Sequence, residues 1–371
     1  MENGIGFDQD ELASELLASF SKLRLDLKAA ASMGRRQARY AVNTYYDVQR
    51  IRIATEHQVR QCEKRNEPTN LLKWIAGVTY ALEYQIRRAL GAFAENAEVG
   101  RWALGILGIG PVLSAGLLAH IDMNRAPTVG HIWRFAGLDP KQKWIGAKAA
   151  EAFVARFPED TPLEDIIVRA VEVIHCRPET LVMLARTNPQ GKKIKMTRET
   201  VTRAIAKRPW NEGLKTLCWK IGESFVKVSN KPNSLYGRIY KERKTLEWQR
   251  NLAGENAEYA KHVLTVKRFG LDTMARAWYS GEISAPLVEK ALRDGSPLPE
   301  NLREASEKAG GLVPMLPPAH IHARATRYTV KLFLSHWHEV AYRAHYHKEP
   351  PKPYVIDHLK HRDFIGADEA S

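Results

Sequence analysis

Cysteine is scarce in this sequence: Cys62, Cys176 and Cys218 are the three in 371 residues. They are far apart, odd in number and in no C-x-x-C pair. That pattern argues against a disulfide scaffold and a zinc ribbon and fits a reducing cytosol. Long apolar runs are also missing. No stretch approaches the roughly 18–20 apolar residues of a membrane span, so no membrane contact is expected. The opening MENGIGFDQDELASELL is acidic and amphipathic and lacks the basic start and apolar centre of a signal peptide. Strand signals are few and no internal repeat is evident, so a mostly α fold in the cytoplasm is expected.

Positive charge is in excess. Lys and Arg number 56 against 42 Asp and Glu, a formal net charge of +14. Residues 141–250 hold 13 Lys and 10 Arg against 12 acidic residues, a net of +11. Most of the surplus therefore lies in less than a third of the chain. Aromatics are interleaved there (Trp210, Trp219, Phe225, Tyr236, Tyr240, Trp248), which suits phosphate contact combined with base stacking. DNA is the expected partner, and association with the nucleoid follows from it.

Apolar spacing organises the chain. Leu12, Leu16, Phe20, Leu23 and Leu27 predict a helix over 8–28, and a weaker stripe predicts one over 35–64. Glu67-Pro68-Thr69-Asn70 breaks that helix and offers a cap for the next. Leu72, Ile75, Val78, Leu82, Ile86, Ala89 and Phe93 then form an a/d seam over 71–94. The two long helices can pair within one chain or dimerise with another; the spacing leaves both open. Helices are expected over 163–174, 178–186, 197–207, 212–227, 235–251 and 319–346. The Gly- and Pro-punctuated stretch 253–311 reads as a surface excursion. Five regions follow: an N-terminal helical region 1–98, a hairpin part 99–145, a helical insert 146–209, a second core part 210–346 and a polar tail 347–371.

The segment 106–122, ILGIGPVLSAGLLAHID, has the make-up of a helix-hairpin-helix. Gly108 and Gly110 allow a tight backbone at positive φ, and Pro111 suits the first turn of the second helix. Amides of Gly108, Ile109 and Gly110 and of that helix start can then face a DNA phosphate. With WRFAGLDP at 133–140, this segment resembles the C-terminal domain of insertion-sequence transposases of the 110/116/902 group. RPWNEGLKTL at 208–217 and ARATRYTVKL at 323–332 resemble later helices of the same domain, and the helices before Gly108 are similar to its coiled coil.

The resemblance implies a two-part enzyme. A RuvC-like domain with four metal-binding carboxylates works beside a serine nucleophile, and a guide RNA selects the DNA. Only about 35 residues precede the coiled coil, all reading as helix, so the RuvC-like domain is expected to be missing. The position of the serine, shortly after the GLxP motif, corresponds to KQKWIG at 141–146, which contains no serine. No catalytic residue is assigned. No cofactor is identified either; Mg²⁺ enters only where a partner supplies a nuclease site.

The expected DNA-contacting set is Gly108, Ile109, Gly110, Pro111, Lys141, Lys143, Lys207, Arg208 and Lys215, with Arg324 and Lys331 on the last helix. Ser224 lacks a base nearby in sequence. The H-x-H pairs at 320/322 and 336/338 point about 200° apart on a helix, so neither chelates a metal. In the insert, Arg198, Arg203 and Lys207 mark a basic helix, and its three helices resemble a helix-turn-helix.

Overall fold

The computed structural model describes residues 27–270, 273–309 and 313–351; most of the helix expected over 8–28 and most of the tail lie outside them. Sixteen α-helices, one 3-10 turn and a helical stretch at 27–31 make up the regular structure among these residues. The only strand-like pairing among them is an isolated bridge, Thr187 to Lys193. The chain divides into two compact units, residues 1–221 with 334–371, and residues 222–333.

In the first unit, α1 (Arg35–Lys64) and α2 (Asn70–Glu95) form a hairpin whose turn places Asn66 at positive φ. The α1 stripe is Ala38, Val42, Tyr45, Val48 and Thr55, close to the expected one. The α2 seam is not. α2 buries Glu83, Leu90, Gly91 and Ala94, while Leu82 is 46% exposed. A polar knot displaces the apolar register: Glu83 accepts from Gln49 at 2.9 Å and from Arg52 at 2.6 Å. Burial pushes the Glu83 carboxyl up, but hydrogen bonds from Arg52, Gln49 and Tyr45 outweigh it and hold the group below its ordinary value.

α3 (Glu98–Gly105) and α4 (Pro111–His120) follow. Small residues let α4 sit close to its neighbours. The Ser114 hydroxyl donates to the Gly100 carbonyl at 3.1 Å, and a Cβ on Gly100 would stand 1.9 Å from the Ala94 oxygen. Val112 and Ala115 join Val42, Tyr45, Leu90 and Ala94 in one core. A 3-10 turn (Met123–Arg125) and α5 (Val129–Phe135) lead on.

α6 (Gly146–Val154), α7 (Leu163–Ile174), α8 (Pro178–Arg186) and α9 (Arg198–Ala206) build the insert around its own core, with Ile166, Ile167, Ile174, Leu181, Val201 and Ile205 buried. Arg198 does not join a basic outer face. Its guanidinium donates to the carbonyls of Pro158, Val154 and Phe157 at 2.7–2.9 Å and closes the end of α6. Thr197 caps α9, as its sequence position implied.

The last helix of the first unit's sequence, α10 (Glu212–Lys227), continues into the second unit. There α11 (Leu235–Leu252) is followed by α12 (Ala257–Val266), α13 (Met274–Ser280), α14 (Ala285–Asp294) and α15 (Leu302–Lys308). The described residues of 253–311 are therefore no surface excursion: Trp278, Ile283, Val288 and Leu302 are core. Helices of seven to ten residues are too short to show a periodic stripe. Asn251 pins the far side of this segment, donating to the Leu316 carbonyl at 3.0 Å and accepting from its amide at 2.8 Å. α16 (Pro318–Tyr346) closes the fold.

Two histidines of α16 make contacts that hold the fold. In the first unit His338 Nε2 meets the Ala126 carbonyl at 3.0 Å, and in the second His320 Nδ1 meets the Tyr279 hydroxyl at 2.9 Å. Burial holds His120 and His320 down to about 4 and lowers His338 as well; nearby cations add to the shift for the first two. The unfolded imidazole protonates near 6.5, so acid favours the unfolded chain. Their stabilisation is complete above about pH 6.5 and is lost as pH falls toward about 4. Melting followed by circular dichroism should drop across that window, and His120→Gln should flatten the drop. Identical profiles for variant and parent would contradict this.

Candidate nucleic-acid interface

The glycine hairpin forms as a short loop between α3 and α4. Ile109 donates its amide to the Ile106 carbonyl at 2.9 Å, Gly108 takes φ +101°, and Gly110 is the residue before the first turn of α4. Two expectations need correction. Gly110 lies at φ −98° and ψ 179°, ordinary extended backbone, so only Gly108 requires glycine for its φ. Ile109 is a core residue, 4% exposed, so its side chain anchors the loop from inside. A Cβ on Gly110 would meet nothing within 4 Å, and the space over this backbone is open. Pro111 packs toward α2 at Gly91.

The expected cations at 141–143 and 207–215 do come together. Gln142 donates to the Pro209 carbonyl at 3.3 Å, Trp144 Nε1 to the Ala206 carbonyl at 2.8 Å, and the Asn211 amide to the Phe135 carbonyl at 2.8 Å. These bonds hold the loop after α5 against the α9–α10 connection. The Arg208 guanidinium stacks over Trp144 at 4.6 Å and also pairs with Glu212. The Lys215 ammonium sits over Trp210 at 3.7 Å, and Trp210 lies against Gly137, which has φ +65° and no room for a Cβ. Lys141, Lys143 and Lys207 are exposed around this platform. Trp144 was not singled out in the sequence, although it is 45% exposed and carries the stacked arginine. Its signal was the Lys-x-Lys-Trp run, legible only beside Arg208.

Hairpin and platform are not adjacent. Leu217 packs on Gly116 and Gly213 on His120, so α4 and α10 run antiparallel. The hairpin stands at the start of α4 and the platform beyond its end, one ten-residue helix or about 15 Å apart.

Arg324 and Lys331 belong to the second unit. Arg324 bonds Asn256 at 2.6 Å and pairs at 3.3 Å with Glu247, a buried carboxylate that Arg243 also holds. Arg324 thus neutralises a buried charge within its own unit. Lys331 is half-buried in α16. No group of three or more His, Cys, Asp or Glu able to hold a metal occurs among the described residues.

Residues 102–154 match the Transposase IS116/IS110/IS902 family. The match runs from α3 through the hairpin, α4, α5 and the Trp144 loop to the end of α6, and it stops before 208–217 and 323–332. No curated protein and no solved structure matches the chain.

The two glycines separate folding from contact. Gly108→Val should destabilise the fold by about 1–3 kcal/mol through its positive φ. Gly110→Val should melt within about 1 kcal/mol of the parent, because its φ suits any residue and the space is empty. Equal losses of stability at the two positions would overturn this account of the loop.

Proposed function

We propose that the protein binds DNA as a component of a transposition or recombination reaction. The observation that carries this reading is the family-matching segment, which supplies the glycine hairpin and Trp144, joined by Arg208, Trp210 and Lys215 from outside it to make the cation–tryptophan platform. A guanidinium or ammonium stacked on an indole is held in place before a ligand arrives, and the exposed Trp144 face adds a stacking surface. Phosphate contacts of this kind fix position and carry no sequence information. Pro111 has no amide proton, so the hairpin offers the amides of Val112 and Leu113, which begin α4 without an intrahelical acceptor.

The loop at 141–146 contains no serine. This favours a second reading, in which the chain contributes binding while a partner with its own carboxylates and Mg²⁺ cuts and joins the strands. A non-catalytic architectural role belongs to the same reading. Binding of a guide RNA and self-association through α1 and α2 are extensions of it.

Arg208→Glu with Lys215→Glu should weaken binding to all duplexes alike. The slope of log affinity against log salt should shrink by about 1.8, the share of two phosphate contacts. Gel shifts across a salt series measure both, with melting as the folding control. Unchanged affinity and slope would remove the platform from the interface. Incubation with supercoiled plasmid and Mg²⁺ separates the two readings: nicking by the purified chain rules out binding alone.

A further inference from the structure

Between α8 and α9 the insert makes a narrow turn that the platform does not use. Thr187 and Lys193 form the antiparallel bridge. The Asn188 amide donates to the Lys192 carbonyl at 3.0 Å, and the Gly191 amide to the Asn188 carbonyl at 2.9 Å. The Asn188 side-chain oxygen accepts from the amides of Gln190 at 3.1 Å and Lys192 at 2.8 Å. Gly191 supplies the positive φ of 78° at the tip, in open space. The turn is therefore held by its own backbone and projects residues 189–195, all exposed.

Three of those residues are Lys192, Lys193 and Lys195. None has an ion-pair partner among the described residues. Glu199, the first acid beyond the turn, pairs with Arg203 at 3.4 Å, and Glu164 pairs with Arg186 at 3.6 Å. Residues 186–198 contain no acidic side chain. Ammonium groups crowded on a rigid turn repel one another, and a polyanion relieves that repulsion. An apolar partner finds little here, since Ile194 is the one large hydrophobic residue of the tip.

We propose that this turn is a second docking point for a nucleic-acid phosphodiester backbone. The proposal rests on the nucleic-acid reading above and adds a site outside the platform. α9 links the two. Lys195 stands just before its first turn, and Lys207 and Arg208 just after its last. Nine helical residues span about 14 Å, or about four nucleotides of one strand of a duplex at about 3.4 Å each. The helix sets the spacing between the two groups of cations. Because the cations are lysines on a turn and not side chains on a groove-fitting helix, the contact is to backbone and not to base edges.

The test uses the full chain with the triple change Lys192→Glu, Lys193→Glu and Lys195→Glu, and a Lys→Arg triple as the charge-keeping control. Fluorescence anisotropy is read against a labelled duplex DNA, a single-stranded DNA and a hairpin RNA over a salt series. Reversal should weaken at least one probe by roughly tenfold or more and shrink its salt slope by about 2–3. The Arg triple should bind like the parent, and both should melt like it. The weakened probe identifies the backbone that the turn takes. If the parent binds and the platform reversal weakens it while the turn reversal leaves all three probes unchanged, this proposal fails and the platform reading stands. If the parent binds none of the probes, the nucleic-acid reading fails and this proposal with it.

Discussion

Close approach around α4 decides where the glycine hairpin and the platform stand. Val112, Ser114, Ala115, Gly116, Leu117 and Ala119 are all buried, so the helix has neighbours on nearly every side. Small residues make this arrangement tolerable. Gly100 leaves room for the Ala94 carbonyl, Gly116 for Leu217, and Gly213 for His120. A side chain at any of these positions would push a helix outward by more than a packed interior allows. With α4 locked, its two ends become fixed points: the hairpin begins at one, and the α10 start beside the platform lies near the other. His120 belongs to the same constraint. Its Nδ1 is buried with no hydrogen-bond partner among the described residues, which is tolerable only while the ring stays neutral.

Charge distribution separates cations that hold the fold from cations that are left over. Arg52, Arg198 and Arg324 are interior struts, bonded to Glu83, to helix-end carbonyls, and to Glu247 with Asn256. Arg208 is intermediate, stacked on Trp144 and paired with Glu212. Lys192, Lys193 and Lys195 stand unneutralised on the tip of a rigid turn. Net charge counts all of these alike, although cations already committed to carboxylates and carbonyls inside the fold have less charge to offer a polyanion than the last two groups.

Most of the helices were legible because length and periodicity reinforce each other. The stripe of α1, the cap of α9 and the bounds of α7, α8 and α10 are local properties of the chain. The failures are non-local. Leu72, Ile75, Val78 and Leu82 form a clean seam on paper, yet Glu83 sits inside because Arg52 and Gln49 on the facing helix satisfy it. Residues 257–308 hide a core in helices too short to advertise it. At the site, the glycine hairpin was visible as a motif, but the φ of Gly110 and the inward side chain of Ile109 were not. The pairing of Trp144 with Arg208 joins positions 64 residues apart, which no spacing rule reaches.

Two helices, α4 and α9, are of similar length, and on the proposed function they would act as spacers for a nucleic acid on the first unit. α4 separates the hairpin amides from the platform, and α9 separates the platform from the lysine turn. Each interval is about 14–15 Å at 1.5 Å per residue. A ligand shorter than one interval meets one group of contacts and gains little, since each alone is a few screened charges or a pair of amides. A strand long enough to reach a second group gains it at high effective concentration, because the frame has already fixed the spacing. Affinity should therefore rise in steps with oligonucleotide length and not smoothly, a consequence of rigid helices that loose basic tails would not share.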